Sequence, residues 1–170
     1  EYIGNPTEAV LLKAGMVLLS DTRTNAGLDN IATYRKMFTF EEPGERVITI
    51  MTAGSLSVSQ TTLSRLRDAI RATDSDGETA IMKAPTMLKV AEIVGNMLAN
   101  VRMDVEEKLH SMRQSASASM IVAGQRRGGN PRMFLIYPEG NFIEATDDTP
   151  FLQIGEHKYG KPILDRVVNM

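Results

Sequence analysis

A carboxylate at a strand end and an amine a short way downstream are the residues with the clearest capacity for chemistry. Asp21 closes the apolar run Met16 to Leu19 after Ser20, and Lys36 follows a stretch rich in turn-forming residues, Thr22 to Gly27. That arrangement suggests a buried or half-buried ion pair. A lysine held in this way beside a hydroxyl favours the hydroxyl's anion and so strengthens it as a nucleophile. The same two residues can equally form a structural salt bridge with no chemistry attached.

Other chemistries find little support. The chain has 170 residues and no cysteine, which removes disulfides, thiolate metal sites and a cysteine nucleophile. His110 and His157 are far apart, and no spacing indicates a metal or cofactor site. No Gly-x-Ser-x-Gly elbow marks a serine nucleophile. The net charge of −2 gives no reason to expect nucleic acid or an anionic membrane as partner. The basic cluster Gln125 to Asn130 is short and glycine-rich, and reads as a solvated hairpin loop. No apolar run approaches the ~20 residues of a membrane span, and no signal peptide is visible. A cytoplasmic location is the default expectation.

The elements that must position Asp21 and Lys36 follow from periodicity. Ala9–Leu12 and Met16–Leu19 read as a hairpin with both strands largely buried. Lys36–Phe40 and the β-rich Arg46–Ala53 read as two further strands around the turn at Glu42–Glu45. Gly54-Ser55 opens a helix through Ala72, with Leu56, Leu63, Leu66 and Ile70 at helical spacing. A second helix is expected from Pro85, as its first residue, to about Leu109. Its wide apolar face, Val90 to Val105, suits core packing and is compatible with an interface. Strands return at Ser117–Ala123, Met133–Tyr137, Phe142–Ala145 and Phe151–Ile154, and Tyr159–Val168 could begin another helix. Strands, two successive helices, then strands make one α+β domain over 1–170, unlike the alternation of a nucleotide-binding fold. Two helices can cover one sheet face, so the other face needs a second sheet.

Several strings resemble the proteasome β-type subunits among the N-terminal-nucleophile hydrolases, and in particular their bacterial Anbu branch, the ancestral β subunit. They are Ser20 to Gly27 with Asp29 to Ile31, Thr33 to Lys36, Thr52 to Ser55, Phe134 to Thr146, and Gly155 to Arg166. The resemblance runs in order from about Ala9 to Val168. It implies a four-layer αββα sandwich. The family continues with a long helix and a final strand, whereas this chain stops at Met170, so the expectation is a sandwich without that last helix and strand.

The resemblance also implies a mechanism. A threonine at the mature amino end attacks a peptide carbonyl, and its α-amine, with a pKa near ~8, takes the proton. By motif, Lys36 sits beside the hydroxyl, Asp21 holds the lysine, and the Gly54 N–H stabilises the oxyanion. Asp165 orients the threonine and its amine. In the family the strand-end aspartate follows the threonine by sixteen residues, a register that falls on Asn5. Thr7 stands two residues further on and would serve if the chain were cut after Pro6 and the strand pairing shifted by two. A serine common near the Gly155 turn is Glu156 here.

Three functions follow. The first is a peptidase subunit acting on peptides or unfolded protein within a homo-oligomer of like subunits, without cofactor, metal, nucleic acid or membrane. The second is a non-catalytic subunit of the same fold for assembly or partner binding, which Asn5 favours. The third is a small-molecule amidase.

Overall fold

The computed structural model describes residues 6–22, 34–72, 80–111 and 115–155. Within them the chain forms β1 (Pro6–Leu12), β2 (Gly15–Ser20), β3 (Met37–Glu42), β4 (Arg46–Gly54), α1 (Leu56–Arg71), α2 (Met87–Ser111), β5 (Ala118–Arg126), β6 (Arg132–Ile136), β7 (Phe142–Glu144) and β8 (Phe151–Gly155). Every strand and both helices expected between Ala9 and Ile154 are present. The expected helix at Tyr159–Val168 lies outside the described residues.

The strands pair into two antiparallel sheets, ordered β2-β1-β8 and β3-β4-β5-β6-β7. Side-chain alternation explains the stacking. Along β4, Ile48 and Ile50 join the helix-side core while Met51 joins the core between the sheets. Met120 and Val122 of β5 and Phe134 and Ile136 of β6 face the helices, whereas Ile121, Ala123 and Met133 face β1 and β8. The five-stranded sheet is thus covered on both faces, which is why β4 and β5 read as nearly continuous apolar runs. Helices, large sheet and small sheet give three of the four expected layers among the described residues.

Both helices bury a stripe against the large sheet. Val58, Leu63 and Leu66 of α1 meet Val90, Val94, Leu98 and Val101 of α2 there, so the apolar face of α2 is core packing. Burying each such side chain contributes about 1.5–3 kcal/mol. The start of α2 differs from expectation. The Thr86 hydroxyl accepts a hydrogen bond from the Lys89 N–H at 3.0 Å, so Thr86 caps the helix and Pro85 stands before the cap. A short 3₁₀ turn, Ile81–Lys83, also precedes α2 and carries no periodicity that would reveal it. The basic cluster forms the expected hairpin turn, with Arg127 paired to Glu45 across a neighbouring turn at 2.9 Å.

One expectation fails. The β1–β2 hairpin is buried on one face only: Leu12, Val17 and Leu19 are 51%, 54% and 65% exposed. Their strands stack on the large sheet through Ala9, Leu11, Met16 and Leu18, and no helix among the described residues covers the other face.

Gly95 of α2 lies against the turn that carries Gly140. A Cβ on Gly95 would come within 2.2 Å of the Gly140 carbonyl oxygen, and Gly140 itself has φ +89. Both obstacles are backbone, so the helix gain of about 1 kcal/mol from replacing glycine is outweighed. Gly95→Ala is expected to lower unfolding free energy by about 1–3 kcal/mol, measured as a lower urea midpoint with an unchanged slope.

Candidate active site

One end of the sandwich gathers the strand termini that matter. Gly54, the last residue of β4, pairs with Ala118, the first of β5. At the start of β1, Pro6 pairs with Gly155, the last residue of β8, and Thr7 with Ser20, the last of β2. The chain leaves β2 through Asp21 and enters β3 from Lys36.

Asp21 and Lys36 meet as the spacing suggested. Lys36 Nζ donates to Asp21 Oδ1 at 2.6 Å, with side-chain exposures of 8% and 29%. Two backbone bonds fix the geometry. The Tyr34 N–H donates to the Thr22 carbonyl at 2.8 Å, and the Thr52 N–H donates to the Lys36 carbonyl at 2.9 Å. The lysine is therefore anchored to β4 and to the segment that carries its partner. Because β2 belongs to the small sheet and β3 to the large one, the ion pair joins the two sheets at this end.

Gly54 marks the strand-to-helix turn. Its φ is +96, a region that other residues rarely adopt, and a Cβ there would lie 2.5 Å from the Ser117 carbonyl oxygen. That carbonyl accepts the Ser55 N–H at 2.8 Å, which holds the turn against the start of β5.

Thr7 lies on the inner face of β1 with 0% exposure, and its Oγ1 has no hydrogen-bond partner among the described residues. It stands opposite Ser20, next to Asp21 in sequence, flanked on its other side by Ile154. A buried hydroxyl without a partner costs about 1–3 kcal/mol, so its position calls for an explanation beyond packing. Asn5 and Asp165 lie outside the described residues. Four of the five expected site residues are thus described: Asp21 and Lys36 are bonded, and strand register brings Thr7 and Gly54 to the same end. Among the described residues no group of three or more acidic or histidine side chains could hold a metal ion.

A cavity of about 250 Å³ opens beside Gly54, lined by Ala53, Ser117, Ser119, Leu135 and Tyr137 from the large sheet and by Ile154 and Gly155 from the small one. No single stretch of sequence announces it. The only signal is the drop in side-chain size toward the strand ends, from Met51 to Ala53 and from Ile121 to Ser119.

The two-sheet stack, the helix pair on one face and the strand-end lysine–aspartate pair define a proteasome-like α+β fold. Solved structures agree. A Gly-1 mutant of Anbu from Hyphomicrobium sp. strain MC1 is 46% identical with a TM-score of 0.85, over 96% of this chain and 66% of that one. Anbu (ancestral beta-subunit) from Yersinia bercovieri is 39% identical with a TM-score of 0.83, over 95% and 65% of the two chains. The helical assembly of the Anbu complex from Pseudomonas aeruginosa gives 43% and 0.83 over the same shares. No family model and no curated protein matches the chain. The chain belongs to the Anbu family, and it spans about two thirds of the length of these relatives.

Removing either charge leaves the other desolvated without its partner, and Lys36 is the more buried. Asp21→Asn is therefore expected to lower stability by about 1.5–3 kcal/mol, and Lys36→Met by less, compared by chemical denaturation at neutral pH. Equal costs would mean that solvent already reaches the ammonium.

Proposed function

We propose that the chain is a subunit of a proteasome-like peptidase that cleaves peptide bonds through an amino-terminal threonine. The Lys36–Asp21 pair carries this reading, because it stands at the end of the sandwich where β1 begins and where the Gly54 turn lies. In the proposed reaction the threonine hydroxyl adds to the scissile carbonyl while its proton passes to the chain's own α-amine. Lys36 favours the alkoxide, and Asp21 holds the lysine in place. The Gly54 N–H stabilises the oxyanion, a contribution of roughly 3–4 kcal/mol for one such donor. The amine leaves with a proton as the C–N bond breaks, and water then hydrolyses the ester and restores the hydroxyl. Asp165 orients the threonine and its amine. Neither a cofactor nor a metal takes part.

The nucleophile proposed for this chain is Thr7, exposed as an amino end by cleavage after Pro6 together with a two-residue shift of the strand pairing. Its Oγ1, which has no partner among the described residues and stands beside the end of β2, supports that assignment. The subunits act in the cytoplasm as a homo-oligomer of like chains on peptides or unfolded protein. The helical assembly of the Pseudomonas aeruginosa relative supports an assembly of this kind.

A second reading is a non-catalytic assembly subunit of the same fold. Asn5 in the family's threonine register favours it, as does the complete burial of Thr7.

Intact mass and amino-terminal sequencing, run beside a fluorogenic peptide assay, separate the two. The peptidase reading expects a mature chain beginning at Thr7, hydrolysis, and its loss by at least 100-fold in a folded Lys36→Ala variant. An unprocessed amino end with no turnover supports the non-catalytic subunit. Unchanged hydrolysis by Lys36→Ala removes Lys36 from the mechanism.

A further inference from the structure

We infer that the far end of the large sheet holds a site for one carboxylate group, between the β3–β4 turn and the β5–β6 turn; it does not depend on the peptidase reading. Arg46 opens β4 and Gly54 closes it, so this end lies roughly 26 Å along the strand from the Gly54 turn. A cavity of about 290 Å³ opens there, and Glu42, Arg46 and Arg126 line it. Strand register places the three in one row: Glu42 pairs with Arg46, and Arg46 pairs with Arg126. Alternation from Phe38, Ile48 and Val122, which belong to the helix-side core, puts the whole row on the helix side of the sheet.

Two arginines directly opposite each other on neighbouring strands repel. Among the described residues only Arg46 is compensated. Its Nη1 donates to the Ala84 carbonyl at 3.1 Å, and its Nε lies 3.5 Å from Glu42 Oε2. Arg126 takes part in no ion pair among the described residues. The Nε–H groups of both arginines are shut off from solvent and have no hydrogen-bond acceptor among the described residues, a costly state for a donor on a charged group. The other charges at the cavity are accounted for. Arg127 pairs with Glu45 at 2.9 Å, and alternation from Met37 puts Glu41 on the opposite face of β3. The row therefore holds two guanidiniums and one carboxylate, a net charge of +1. One incoming carboxylate balances that charge, supplies the missing acceptors and can be held by both its oxygens. A phosphate dianion would place a surplus negative charge beside Glu42, and a neutral amide would leave Arg126 without a counter-charge.

Ligand-observed NMR tests this whatever the size of the assembly. The probes are acetate, acetamide, inorganic phosphate at pH 8 and a blocked Ala-Glu-Ala peptide, all at constant ionic strength. Acetate is expected to bind saturably, acetamide not to compete, and phosphate to bind at least 3-fold more weakly than acetate. Arg126→Met should abolish acetate binding, whereas Arg127→Gln, which removes a charge already paired with Glu45, should leave it within 2-fold. The peptide separates two sources of the same group: binding at least 10-fold tighter than acetate assigns the site to an acidic segment of a protein, and equal binding assigns it to a small free acid. Stability without ligand is the second readout. Arg126→Met relieves the repulsion across the strands and removes a buried donor, so its urea midpoint in acetate-free buffer should equal or exceed that of the parent. No saturable acetate binding, equal binding of acetamide, tighter binding of phosphate, or acetate binding that survives Arg126→Met overturns the site. A clear fall in the urea midpoint of Arg126→Met also overturns it, because the arginine is then a structural element.

Discussion

The contact between Lys36 and Asp21 is the point on which the rest of this structure turns. It is the only ion pair among the described residues that couples the end of one sheet to the end of the other. The remaining pairs lie on helices, turns and sheet rims, where solvent screens them and each is worth less than about 1 kcal/mol. Lys36 is 8% exposed and has given up most of its hydration for, among the described residues, one carboxylate at 2.6 Å. A lysine is a costly way to tie two sheets together, since an apolar pair of similar volume would serve stability as well or better. Its position at the end where β1 begins is the physical reason to connect it with the proposed chemistry.

The sandwich around this pair is asymmetric in a way that suits a site. The ion pair and the two backbone bonds at Tyr34 and Thr52 close one flank, and the small residues Ala53, Ser117 and Ser119 leave the other open. Gly54 sits between them with a backbone conformation that only glycine adopts readily. Closing one side fixes charged groups, and the other side stays open. The helices take no direct part. They cover the far face of the large sheet and so keep β3, β4 and β5 in register.

Much of this was legible from residues alone, and particular features show why. β4 and β5 read as buried strands because both of their faces are covered, which leaves an unbroken apolar run. Asp21 and Lys36 suggested a pair because a strand end and a turn-rich return constrain where the chain can go. The same logic misled at β1 and β2, where apolar runs implied burial on both faces although Val17 and Leu19 are exposed. Hydropathy reports what a strand could bury, not which neighbour covers it. Pro85 is a stronger helix-start signal than the Thr86 beside it, so the sequence hides the cap. The cavity was invisible because it depends on Ala53 facing Ser119 across a register that no local pattern reveals.

The central proposal is that, in the proposed peptide hydrolysis, Asp21 acts through Lys36 and through nothing else. A double-mutant cycle on peptide hydrolysis tests it, using Asp21→Asn, Lys36→Met and both together in folded protein. The account predicts that the double variant is no slower than Lys36→Met alone, because the aspartate has no task once the lysine is gone. Independent losses that multiply in the double variant, or no turnover by the parent chain at all, would contradict it.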